Sequence, residues 1–391
     1  MKSMFVYLDN SSSTKQYDAV TETMLRYMRD DFGNPSSVHN MGMVAEEAIK
    51  EARKAVTAVL GFSHDEVYFT SGGTEAANIA VFGAAGARKR RGNKIITSTV
   101  EHPAVLESCK QLHSMGFEVV YIGVDEKCRL NFSELKEKVD DKTIIVSIMS
   151  VNNETGTIMP INEINRVKPE AAVFHTDAVQ ALGKIPLDAG QADVVTVSAH
   201  KIHGPKGCGA IAVKKGVRID PVIFGGGQEK NMRPGTENVA AVAGFGKAAK
   251  LACENIKKRA QAMAEARRYL LDGIKAEIKD IKINSVEDAG LFGEDGFCSP
   301  SILNVSFSGV RGEVILHGLE SEGIYVSTGA ACSSNKKGKS HVLAAMGLTD
   351  KEIESALRFS FSEFNTAAEM DYALCKLKEQ VSRFRKLGSF R

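Results

Sequence analysis

Between residues 15 and 255 the hydrophobic positions fall alternately into two rhythms. Val44, Ala48, Ile49, Ala52, Val56, Val59 and Leu60 recur at steps of three and four, one face of a helix, and Gly61 offers the residue that ends one. Short β-branched runs follow at 94–100, 118–124, 143–149, 172–176, 193–198 and 209–213. Several are apolar at nearly every position, which is the pattern of strands covered on both faces of a mostly parallel sheet. Amphipathic stretches such as 74–91 lie between some of these runs, so the expected architecture is α/β, with helices on both sides of a sheet. Beyond residue 256 the rhythm changes. A long Lys-, Arg-, Glu- and Ala-rich amphipathic helix is predicted over 256–280, then a strand at 301–307 and further helices, the make-up of a smaller α+β unit.

Length agrees with that division, because 391 residues exceed what one small core organises. The predicted units are 15–255, and 1–14 together with 256–391. Apolar residues at 43% and charged residues at 25% are ordinary globular values, and a net charge of +2 gives no electrostatic reason to expect nucleic acid or an acidic membrane as partner. The four-residue basic run at 88–91 reads as cations closing a helix C-terminus. Residues 1–10 lack the apolar core of a signal peptide, and no apolar stretch approaches the ~20 residues that cross a bilayer, so a cytoplasmic protein is expected. Seven cysteines stand at 109, 128, 208, 253, 298, 332 and 375 with no Cys-x-x-Cys pair, which argues against a disulfide framework or a self-contained metal cluster. Most are expected to be buried thiols.

Ligands of open α/β sheets bind beyond the carboxyl ends of the strands, so the residues there carry the chemistry. After Tyr68-Phe69-Thr70 comes Ser71-Gly72-Gly73-Thr74-Glu75 and a helical pattern; such a turn is either a plain cap or a phosphate nest at a helix N-terminus. Asp177 follows the run 172–176, and Ser198-Ala199-His200-Lys201 closes the run 193–198. An aspartate and a lysine there are either exposed strand ends or the pair that pyridoxal 5'-phosphate requires. In the second case the lysine forms a Schiff base with the aldehyde and the carboxylate keeps the pyridine nitrogen protonated.

The lysine motif resembles that of the class V aminotransferase family, and the whole chain is similar to its cysteine desulfurase branch. The resemblance runs in order through Tyr7–Asn10, Gly33–His39, Ser71–Glu75, Glu101–Val105, Val151–Gly156, His175–Gln180, Ser198–Gly207, Arg233–Asn238, Gly329–Ser334 and Arg358–Ser360. It implies the aspartate-aminotransferase-like fold (type I) of pyridoxal-phosphate enzymes, a large cofactor-binding domain and a small domain bearing a cysteine loop at about 327–340. It also implies roles. Lys201 would hold pyridoxal 5'-phosphate, Asp177 would pair with its ring nitrogen, Gln180 would donate to its phenolic oxygen, and His102 would stack on the ring and shuttle protons. Gly73, Thr74, Ser198 and His200 would hold the phosphate, and Thr236 would reach the phosphate of the other subunit of a homodimer. Asn153 would sit beside the ring, and Arg358, helped by Asn34, would grip the carboxylate of L-cysteine.

Cys332 would accept the sulfur as a persulfide, leave alanine, and pass the sulfur to an acceptor protein for iron–sulfur cluster, cofactor or tRNA thiolation. Its surroundings, Ser327–Lys339, are small, polar and basic, and three nearby lysines favour the thiolate. Cys208, beside the lysine motif, reads as packing. Ala330 and Ala77 depart from the common pattern, which has serine and asparagine there. The rival readings are a selenocysteine lyase or aminotransferase, and a non-enzymatic sulfur carrier with Cys332 as ligand. The Gly329–Ser334 motif argues against the first. The absence of Cys-x-x-Cys spacing and the Lys201–Asp177 pair argue against the second.

Overall fold

The computed structural model describes residues 4–187, 189–287, 298–329 and 339–388. Its strands are β1 (Val6–Tyr7), β2 (Val67–Thr70), β3 (Lys94–Ser98), β4 (Glu118–Ile122), β5 (Thr143–Ser147), β6 (Val173–Asp177), β7 (Val194–Ser198), β8 (Gly209–Val213), β9 (Ile281–Ile283), β10 (Ile302–Phe307), β11 (Ile324–Tyr325) and β12 (Ala356–Ser360). Seven form one sheet in the order β2-β8-β7-β6-β5-β3-β4. Its neighbours are parallel from β7 to β4, whereas β8 runs antiparallel to both β7 and β2. The sheet is therefore mostly parallel, as the continuous apolar runs predict.

Alternate residues of each strand enter opposite cores, which explains those runs. Ile95, Ile145, Val173, Val194 and Ile211 pack against Ala76, Ile79 and Ala80 of the helix Gly73–Arg88 and against Val105 and Cys109 of the helix Pro103–Ser114. Their neighbours Ile96, Val146, Phe174, Val195 and Ala212 pack on the other face against Ile49 and Val56 of the helix Asn40–Leu60 and Val242 and Phe245 of the helix Val239–Glu254. Gly61 ends the helix Asn40–Leu60 at φ +69°, the left-handed cap expected of it. The helix Val239–Glu254 carries no clear polar face because it is wedged between the sheet and its neighbour. A Cβ on Gly246 would lie 2.5 Å from the Ala52 Cα, so only glycine permits the approach.

A third core gathers Val6 and Leu8 with residues between 260 and 381, around the antiparallel sheet β12-β10-β9 and the helices Ile256–Glu277 and Ala367–Leu387. Val342, Leu343 and Ile353 belong instead to a core of the large sheet. The expected boundaries shift at several ends. β4 stops at Ile122, with Val124 only bridging Leu130, and the helix predicted over 74–91 is Gly73–Arg88. The helix predicted over 256–280 ends at Glu277, before Asp280 turns to φ +53°. Arg88 closes its helix as expected, and its guanidinium also donates to the carbonyls of Ala171 and Arg218. No helix among the described residues is long and apolar enough to cross a membrane.

Candidate active site

The parallel strands β3, β5, β6 and β7 deliver their carboxyl ends to one edge of the sheet, and a cavity of about 310 Å³ lies beyond it. Lys201 follows β7 through the short turn Ala199–Lys201. The N-terminal segment clamps that turn: Thr14 N–H donates to the His200 carbonyl (3.0 Å), and His203 N–H donates to Thr14 Oγ1 (2.8 Å). Lys201 Nζ donates to the carbonyls of Ser11 (2.6 Å) and Ser12 (2.8 Å), which aims the amine across the cavity floor.

Asp177 is the last residue of β6, the strand beside β7. Its Oδ1 accepts from Val179 N–H at 2.9 Å. Burial pushes the carboxyl above its usual range, while His102, that N–H and Lys201 pull it back. His102 caps the helix Pro103–Ser114, with Nδ1 accepting from Ala104 N–H at 3.1 Å. That bond leaves Nε2 to carry the proton of the neutral ring. Burial holds this histidine below its ordinary value; Asp177 opposes the shift, and Lys201 and His341 add to it.

Gly73 and Thr74 open the 16-residue helix Gly73–Arg88, whose first-turn N–H groups have no partner within the helix. A Cβ on Gly73 would come within 2.9 Å of Val179 Cγ2, so glycine keeps the helix end close to the Asp177 turn. Ser198 and His200 line the same cavity. His200 is pushed down to about 4 by burial, and by Lys201, Lys206 and Lys184, so at neutral pH it offers a hydrogen bond and no charge. Across the cavity Arg358, from β12, is held by the Asn153 carbonyl (2.9 Å), Asp9 Oδ1 (2.9 Å) and Ser12 Oγ (2.7 Å).

Gly73, Thr74, His102, Asn153, Asp177, Gln180, Ser198, His200, Lys201 and Arg358 thus line one cavity. Asn34 and Thr236 do not line it and are exposed on this chain. Cys332 lies outside the described residues; Gly329, three positions before it, lines the cavity. Sequence reasoning missed Ser11, Ser12, Met149, Val151 and Val179, which complete the walls. The serine run directly after Asp9-Asn10 was the available signal for the first two. Burial pushes the thiols of Cys109, Cys128 and Cys208 up to about 12 and that of Cys253 to about 11, so they stay protonated at neutral pH. Cys298 is buried as well, whereas Cys375 stands exposed on the last helix, unlike a core thiol. Among the described residues no group of His, Cys, Asp and Glu could hold a metal ion.

Two buried polar atoms of the cavity residues, Ser11 Oγ and Arg358 Nε, have no hydrogen-bond partner among the described residues. The site also combines an anion nest, a strand-end carboxylate and an amine. That set fits a phosphorylated, aldehyde-bearing pyridine cofactor, and the guanidinium fits a carboxylate.

The chain matches the aminotransferase class-V family over residues 6–373. It is 42% identical to the cysteine desulfurase IscS of Methanosarcina thermophila over 386 residues, 98% of this chain and 93% of that protein. Among solved structures it resembles a NifS-like protein (TM-score 0.89, 38% identity, 97% of this chain and 100% of that one). It also resembles SspA in complex with cysteine (TM-score 0.80, 31% identity, 92% of this chain and 100% of that one).

Proposed function

The chain belongs to the aminotransferase class-V family, and from that premise we propose how it works: it is a cysteine desulfurase that uses pyridoxal 5'-phosphate held on Lys201. One observation carries the assignment of residues. Lys201 and Asp177, on neighbouring strand ends, line a single cavity with the helix N-terminus at Gly73 and Thr74. The division into units at about residues 15 and 256 accompanies this reading, supported by the core that Val6 and Leu8 share with residues 260–381.

When bound, the cofactor supplies an electron sink that weakens the bonds around the α- and β-carbons of an amino acid. The protein's own groups do the rest. The helix N-terminus with Thr74, Ser198 and His200 would hold the phosphate, and Asp177, facing the cations of the cavity, would keep a proton on the ring nitrogen. Gln180 donates to the phenolic oxygen. Lys201 would hold the cofactor through its amine and could also serve as a base, and His102, with its proton on Nε2, would lie against the ring and share the proton traffic. Arg358, which lines the cavity with Asn153, binds the substrate carboxylate; a part for Asn34, which lies off the cavity of a single chain, depends on the second subunit.

The Cys332 thiolate attacks the sulfur of L-cysteine. The carbon–sulfur bond breaks with its electron pair left on carbon, a sulfur–sulfur bond forms, and protonation of the carbon gives L-alanine. The resulting persulfide goes to a sulfur-acceptor protein. A homodimer completes the site. Leu25, Met28, Phe32, Val38 and Met43 are exposed, Val38 at 98%, and Phe224 is 85% exposed. Such apolar exposure fits a second copy, which would bring Thr236 to the phosphate.

Cys332→Ser tests the sulfur step. The variant should bind the cofactor and respond spectrally to cysteine, yet form no persulfide and no alanine. Alanine release at the native rate would overturn the assignment.

A further inference from the structure

Four residues beyond Gln180 stands a lysine that the proposed reaction does not use. Lys184 is 4% exposed. The groups that act on its charge are cations, Lys201, Arg358 and Arg259, and burial together with them drives the amine well below its usual value. Placing an amine there costs stability, so the position calls for a use. Its Nζ donates to Gln180 Oε1, while Gln180 Nε2 donates to the Ser11 carbonyl at 2.9 Å. That same carbonyl accepts from Lys201 Nζ at 2.6 Å, so one chain of hydrogen bonds links the two lysines through the glutamine.

A primary amide can sit in two nearly isosteric orientations, with its oxygen and nitrogen exchanged. Lys184 Nζ donates to the amide oxygen, which favours this flip, and the Ser11 carbonyl, which only accepts, selects the same one from the other side. We propose that Lys184 is a positioning residue for the cofactor: by holding Gln180 Oε1 it keeps Gln180 Nε2, the donor, turned to the cavity. The role rests on the reading that Gln180 donates to the phenolic oxygen. With Lys184 gone, the Ser11 carbonyl alone selects that flip, so the amide turns its oxygen toward the cavity more readily, where lone pairs would face the phenolic oxygen and the donor would be lost.

A donor on the phenolic oxygen stabilises its deprotonated form and competes with the neighbouring Schiff-base proton, so it lowers the pH at which the bound chromophore changes colour. The test is an absorbance pH titration of the loaded holoenzyme as wild type, Gln180→Met, Lys184→Met and the double variant. Each single variant should raise the midpoint by about one pH unit, and the double variant should rise no further than Gln180→Met. If Gln180→Met shifts the midpoint and Lys184→Met does not, the positioning role is overturned. The same holds if the two shifts add, because Lys184 would then act by its charge alone. If Gln180→Met itself shifts nothing, the contact between Gln180 and the cofactor falls, and the role of Lys184 with it. Should Lys184→Met not accumulate as folded protein, Lys184→Ala is read in the same way.

Discussion

Glu229→Ala probes how the edge of the large sheet supports the helix N-terminus at Gly73 and Thr74. β2 is the outermost strand and leads straight into Ser71–Thr74. An edge strand exposes unpaired backbone groups, and here a distant ion pair covers them. Glu229 Oε2 accepts from Phe69 N–H (2.9 Å) and from Arg53 Nη1 (2.8 Å), Glu229 Oε1 accepts from Arg53 Nη2 (2.8 Å), and Arg53 Nη1 also donates to the Val67 carbonyl (2.6 Å). The side chains are 14% and 3% exposed for Arg53 and Glu229, and the guanidinium lies 4.9 Å from the Phe69 ring centroid. Deleting the carboxylate strands the Arg53 charge and the Phe69 N–H together, a loss of about 3–5 kcal/mol. At about 2 °C per kcal/mol for a chain of this size, the melting midpoint should fall by roughly 6–10 °C. The assay is thermal unfolding of the loaded enzyme at fixed cofactor concentration, with the Arg53→Met and double variants alongside. The double variant should recover part of the loss, because it strands no charge. A fall below about 2 °C, or losses that simply add in the double variant, would refute the reasoning.

Two further outcomes follow from the buried polar groups. His175, on β6 two residues before Asp177, bonds Ser147 Oγ (2.8 Å) and Thr196 Oγ1 (3.1 Å), and burial drives it down to about 3. Its folded value lies below its unfolded one, so the stability tied to its neutral form is complete above about pH 6.5 and is lost at about 1.4 kcal/mol per unit as pH falls toward 3. Between pH 7.5 and 5, His175→Asn should therefore lose about 2 kcal/mol less than wild type in denaturant titrations, and equal losses would exclude the group. Asp177→Asn keeps an acceptor for Val179 N–H and removes the charge; steady-state kinetics should show kcat lower by roughly 10–100-fold, the worth of a charged hydrogen bond, with the fold intact by circular dichroism.

Strands were the most legible part of the sequence, because double burial writes continuous apolar runs such as Ile144, Ile145 and Val146 within Thr143–Ser147. The helix Val239–Glu254 was not legible: apolar on almost every side, it offers no contrast between faces for periodicity to read. The lysine and aspartate were readable from their strand ends and from the resemblance. The walls at Ser11 and Ser12 were signalled only by the serine run after Asp9-Asn10, since what brings them in is a set of hydrogen bonds to Lys201, about 190 positions away. Arg53 and Glu229 are 176 positions apart, and no local pattern announces a pairing over that distance. Asn34 and Thr236 lie off the cavity of a single chain, where a role for them depends on a second subunit.

The most direct measurement is where the cofactor attaches. Native protein treated with borohydride and digested should yield one pyridoxyl-modified peptide, with the modification on Lys201. Modification on Lys184, or on any other lysine, or none at all on coloured protein, would contradict the account.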